Sequence, residues 1–104
     1  MIVEVEGKQI AIGWREAAAM LTMYMVDWHA ATLSDLELVA GNYVNAVKVA
    51  GKLIELGLVK SYSVRKVKIY ALTELGLAAA SELKRKAQET GIWEKAEEVI
   101  RKVE

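Results

Sequence analysis

The chain has 104 residues, 54% hydrophobic and 27% charged, with 14 basic and 14 acidic side chains that cancel to a formal charge of zero. That length fits one domain with one core, and the interspersed charges read as a globular chain rather than a disordered one. Zero cysteine excludes disulfides, thiolate zinc sites and cysteine nucleophiles, and no apolar run approaches the roughly 18 residues of a membrane span.

Residues 1–13 alternate, with Val3 and Val5 answering Ile10 and Ile12 across Glu6, Gly7 and Lys8, which predicts a small β-hairpin turned at Gly7. A lone hairpin is marginal in water, so it is expected to pack on helices or to extend a sheet. A first helix is predicted from Trp14 to His29, where Ala17, Leu21, Tyr24, Met25 and Trp28 recur at helical spacing and form a core face. The methionines and aromatics of MLTMYMVDW belong to that core; a small-molecule pocket is the other use such a group can have.

Ser34, Asp35, Leu36 and Glu37 read as a capping box, with Leu33 and Leu38 as its hydrophobic staple. The short second helix should end at Gly41, because glycine enters the left-handed conformation that closes a helix. Asn42 then caps a third helix that runs to Leu56 and stops at Gly57. Leu36 and Val39 are placed to meet Ala46, Val49, Ala50 and Leu53 across the turn, holding the two helices at a steep angle. Leu58–Ser61 and Lys68–Leu72 are the arms of a ribbon with its tip at Tyr62–Val67, and Tyr70 and Leu72 point inward. Thr73 opens a fourth helix that Gly91 interrupts. Beyond it Trp93, Ala96, Ile100 and Val103 fall at the spacing of a helix that packs on another helix.

Charge is unevenly placed. Residues 42–68 hold six cations (Lys48, Lys52, Lys60, Arg65, Lys66 and Lys68) against the single acid Glu55. Such polarity lets one face attract phosphate while the remainder limits non-specific adhesion.

A short helix, a tight turn, a longer helix and a basic ribbon, with KLIELGLVK leaving the third helix and IYALTELG closing the ribbon, resemble the winged helix-turn-helix of transcription regulators of the multiple-antibiotic-resistance (MarR) and PadR-like type. The resemblance covers about residues 14–89. It implies a mainly α fold with a small β ribbon, here a winged helix-turn-helix with an N-terminal β-hairpin (1–13) and C-terminal helices, the last over 90–104, all in a single domain. It also implies duplex DNA binding, with the third helix in the major groove and the wing on phosphate or in the minor groove. Asn42, Tyr43, Asn45, Lys48 and Lys52 lie off the buried face of that helix, and asparagine suits adenine edges while lysine reaches guanine or phosphate. Lys60, Arg65, Lys66 and Lys68 belong to the wing, with Arg65 suited to a minor groove. Trp93, Ile100 and Val103 are expected to form a homodimer contact.

Winged helices also serve as protein-binding modules, and Val44 and Val47 present methyl groups where a DNA reader often carries polar ones. A protein-interaction module in a larger assembly is therefore the rival reading. His29 stands beside Asp27 alone, too few ligands for a metal, and no phosphate loop, nucleophile triad or carboxylate pair is present. The expectation is a non-enzymatic protein without cofactor or metal. Acids near the amino end, where a signal peptide would carry cations, predict a cytoplasmic protein, and the shortage of thiols and amides is thermophile-like.

Overall fold

Four helices and two small antiparallel sheets make up residues 1–91, the part of the chain that this computed structural model describes. The order is β1 (Ile2–Val5), β2 (Lys8–Ala11), α1 (Trp14–Met25), β3 (Ala30–Thr32), α2 (Leu33–Ala40), α3 (Tyr43–Glu55), β4 (Val59–Val64), β5 (Val67–Leu72) and α4 (Glu74–Thr90). The expected final helix, with Trp93, Ile100 and Val103, lies outside the described residues.

The amino-terminal alternation closes as a hairpin in which Val3 faces Ile10 and Val5 faces Lys8. Its turn is only two residues, Glu6 and Gly7, both left-handed (φ 51° and 79°), so Lys8 belongs to the strand rather than to the turn. The hairpin lays β1 against α4, burying Val3, Val5 and Ile10. The Lys86 ammonium donates to the Ile2 carbonyl at 2.9 Å from across that contact.

Helix α1 stops at Met25, four residues short of the expected His29. The chain leaves the helix at Val26 (ψ 151°), turns with the His29 amide donating to the Val26 carbonyl at 3.1 Å, and enters a strand that sequence reading had missed. That strand, β3, pairs with β5 and makes the ribbon part of a three-stranded sheet ordered β3-β5-β4. Pairing with a distant strand satisfies backbone groups that another helical turn would otherwise have satisfied. Trp28 consequently leaves the core face and stands 88% exposed, while Met20 and Met23 are fully buried.

The second helix starts earlier than expected. Thr32, not Ser34, is its N-cap: the Thr32 hydroxyl accepts from the Asp35 amide and the Asp35 carboxylate accepts from the Thr32 amide. The staple positions move with the cap to Ala31 and Leu36, both buried, and Leu38 faces solvent instead. Downstream the boundaries fall where local chemistry puts them. Gly41 is left-handed (φ 98°) at the end of α2, Asn42 caps α3, and Thr73 caps α4. The ribbon is longer than expected, because strand pairing continues to Val64 and Val67 and leaves only Arg65 and Lys66 in the turn.

At the ribbon base, the Leu58 carbonyl accepts from the Thr73 amide at 3.0 Å, and the Thr73 hydroxyl donates to the Gly57 carbonyl at 2.7 Å while accepting from the Gly76 amide. Gly76 passes so close that a Cβ there would stand 2.0 Å from the Leu58 oxygen. Gly51, mid-way along α3, is its opposite: nothing lies within 4 Å of an added Cβ. Gly76→Ala should therefore destabilise by about 3 kcal/mol or more, whereas Gly51→Ala should stabilise by about 0.5–1 kcal/mol. Urea unfolding midpoints of the two variants check both signs.

Candidate nucleic-acid interface

The turn between α2 and α3 is held by two amide side chains. The Asn42 carbonyl oxygen accepts from the Asn45 amide at 2.8 Å, and the Asn45 side-chain nitrogen donates to the Ala40 carbonyl at 3.3 Å. Both residues expected to read bases thus spend at least one polar group on fixing the helix pair. The cap alone is worth about 1 kcal/mol.

Helix α3 buries Ala46, Val49, Ala50 and Leu53. With 3.6 residues per turn, Val44, Lys48, Gly51 and Glu55 lie opposite that stripe, with Lys52 on one flank and Tyr43, Val47 and Ile54 on the other. All eight are exposed, so no other described residue encloses this side of the helix. A glycine on the outermost line costs helix stability without relieving any clash among the described residues.

Strand register sorts the ribbon into two faces. Pairs Val59 with Leu72, Ser61 with Tyr70 and Ser63 with Lys68 lie on the core side; Lys60 with Ala71, Tyr62 with Ile69 and Val64 with Val67 lie on the outer side. Val59 and Tyr70 are buried, and beyond them the inner face continues toward the tip as Ser61, Ser63 and Lys68, all exposed. The six cations therefore do not share one surface: Lys68 is on the inner face, Lys60 on the outer, and Arg65 and Lys66 occupy the turn. Sequence reading missed the inner-face serines. Alternation carried outward from the buried Val59 and Tyr70 would have found them.

Arg65 and Lys66 both adopt left-handed backbone, φ 49° and 70°. A two-residue hairpin turn requires this, and it ordinarily selects Asn-Gly or Asp-Gly because side chains with a Cβ are strained there. Two cations hold the tip in their place.

Elsewhere, the His29 ring stacks on Tyr24 at 5.8 Å between centroids, and its buried Nδ1 has no hydrogen-bond partner among the described residues. Among the described residues no three His, Asp or Glu side chains converge as a metal site would require, and no helix is long and apolar enough to cross a membrane. On α4 the Arg85 guanidinium holds the Glu82 carboxyl below the usual carboxylate range and also pairs with Glu89; these exposed pairs contribute little to stability.

No protein family, curated protein or solved structure matches the chain. Its functional reading consequently rests on these side chains and their geometry.

Replacing the tip with the residues its backbone prefers, Arg65→Asn with Lys66→Gly, should raise stability by about 1–2 kcal/mol. Thermal unfolding measures it, and a lower midpoint would mean that the two cations support the fold.

Proposed function

We propose that the protein binds duplex DNA as a winged helix-turn-helix and acts as a regulator of transcription. The observation that carries this reading is the ribbon tip, where two cations sit at backbone positions that cost stability. The first hairpin turn keeps glycine at its second position, whereas this one holds a cation at both, and a paired cation suits a polyanion. The order α1, β3, α2, α3, β4, β5 supports the same reading, since it puts a short strand, a capped helix pair and a hairpin in the sequence that a winged helix uses.

In this proposal α3 enters the major groove with its Val44–Lys48–Gly51 line foremost. Lys48 and Lys52 reach phosphates, and the methyls of Val44 meet thymine methyl groups. The absence of a side chain at Gly51 permits the helix to approach the groove floor. Asn45 retains its side-chain oxygen and Tyr43 its hydroxyl for polar contacts, although Asn42 serves chiefly as the cap. The ribbon places Arg65 in the adjacent minor groove and Lys66 on its rim, with Lys68, Ser61 and Ser63 of the inner face turned to phosphate oxygens. Lys60, on the other face, takes no part. A homodimer through the segment containing Trp93, Ile100 and Val103 would set two α3 helices about 34–36 Å apart on a near-palindromic site.

One set of residues favours a second reading. Tyr43, Val47 and Ile54 are 59%, 44% and 41% exposed along one flank of α3, an apolar strip that a protein partner could cover. Under that reading the chain is an interaction module without affinity for DNA.

Titration of a labelled random duplex by fluorescence anisotropy at several salt concentrations separates the two. DNA binding should weaken steeply with salt, and Arg65→Asn with Lys66→Gly should weaken it further and reduce the log–log slope by about 0.9 for each phosphate contact removed. Gly51→Leu should cost at least about tenfold in affinity while the fold is retained, because its side chain would hold the helix off the groove floor. Binding that is absent at low salt would leave the interaction-module reading standing, and binding indifferent to both variants would overturn the assignment of α3 and the tip as the contact.

A further inference from the structure

The outer face of the ribbon has a composition that the proposed DNA contact does not use. Tyr62, Val64 and Val67 are 53%, 54% and 49% exposed, and register joins them with Ile69 into one apolar strip. A solvent-facing sheet surface ordinarily alternates to polar residues, so such a strip marks a surface that something covers. Cations bound it at both ends, Lys60 beside Ala71 at the base and Arg65 with Lys66 at the tip, and residues 56–73 contain no acid.

The strip lies beside an open sheet edge. In the order β3-β5-β4, strand β4 is paired on one side only among the described residues. The Thr73 amide bonds to the Leu58 carbonyl, and pairing alternates from there, so Lys60, Tyr62 and Val64 direct their backbone groups to β5. Ser61 and Ser63 accordingly direct their amides and carbonyls outward. An edge of this kind accepts an added strand, whose backbone supplies affinity and whose alternate side chains supply specificity.

We infer that β4 and the outer ribbon face form a docking site for an extended acidic segment of another protein, added antiparallel or parallel to β4 with its apolar side chains over Tyr62 and Val64. Charge selects this occupant. A second copy paired edge to edge would bring two sets of Lys60, Arg65, Lys66 and Lys68 together, and like charges across a strand pair are destabilising. An acidic strand instead meets cations at both ends of the strip. The surface shares the Arg65–Lys66 tip with the proposed DNA contact but not its inner face, and it accounts for Lys60.

The test uses the full chain and a short labelled peptide that alternates glutamate with valine, read by fluorescence anisotropy. The peptide should bind, and a counterpart with lysine in place of every glutamate should not. Tyr62→Thr with Val64→Thr keeps strand propensity while removing the apolar strip, and should cost at least about tenfold in peptide affinity with duplex binding and thermal unfolding unchanged. Ser63→Pro removes an outward amide without breaking the β4–β5 ladder, and should weaken the peptide to a similar extent. Five results would overturn the inference: no binding of the acidic peptide; equal binding of the lysine peptide; duplex DNA competing with the peptide and falling equally in the Tyr62→Thr, Val64→Thr variant; sedimentation with phosphatidylserine vesicles that this variant abolishes; or a dimer that Ser63→Pro converts to monomer.

Discussion

The crossing of Gly76 over the Leu58 carbonyl decides how the two working parts of this molecule sit. Three elements meet there: the exit of α3, the base of the ribbon and the first turn of α4. Thr73 ties them with one hydroxyl, which donates to Gly57 and accepts from Gly76, while its amide bonds to Leu58. Only a residue without a Cβ lets α4 approach closely enough for these bonds to coexist. Because Leu58 and Leu53 are fully buried beside this junction, the ribbon is seated on the end of α3 by packing as well as by hydrogen bonds.

From that junction the chain directs its departures from stability outward. The tip holds Arg65 and Lys66 in left-handed backbone, and α3 carries a glycine on its outermost line where any other helix former would be more favourable. Inside the fold the same devices have plain structural uses: Gly41 closes α2, and Gly76 permits the crossing. What separates the two groups is whether a neighbouring atom explains the residue. For Gly76 one does. For Gly51, Arg65 and Lys66 no neighbouring atom among the described residues does, and the proposed DNA contact is what would explain them.

The ribbon is amphipathic in the less usual sense. Its polar residues continue the core face past the end of the core, and its apolar residues face away from the helices. The polar side is then available to share a ligand with α3, while the apolar side and the open edge of β4 are available to a different partner. One hairpin can serve both because alternation separates its side chains by face, and pairing to β5 separates its backbone groups by edge.

Local chemistry was readable from the residues alone. Gly41, Asn42, Thr73 and Gly91 marked helix ends correctly because a cap is satisfied within three or four residues, and the buried stripe of α3 followed from spacing. The cap of α2 was misplaced, since Ser34 with Glu37 read as the capping box and Thr32 with Asp35 forms it. The strand Ala30–Thr32 was invisible, since three residues acquire strand character only by pairing with Ile69–Ala71, far along the chain. The faces of the ribbon were likewise decided in three dimensions: a turn of two residues rather than six sets the register, and register determines whether Lys60 and Lys68 stand together or apart. The residues alone determined where α3 and α4 cap, which stripe of α3 is buried and where positive charge accumulates along the chain. Tertiary structure decided which cations share a surface, because strand pairing is a contact between distant segments that no local preference specifies.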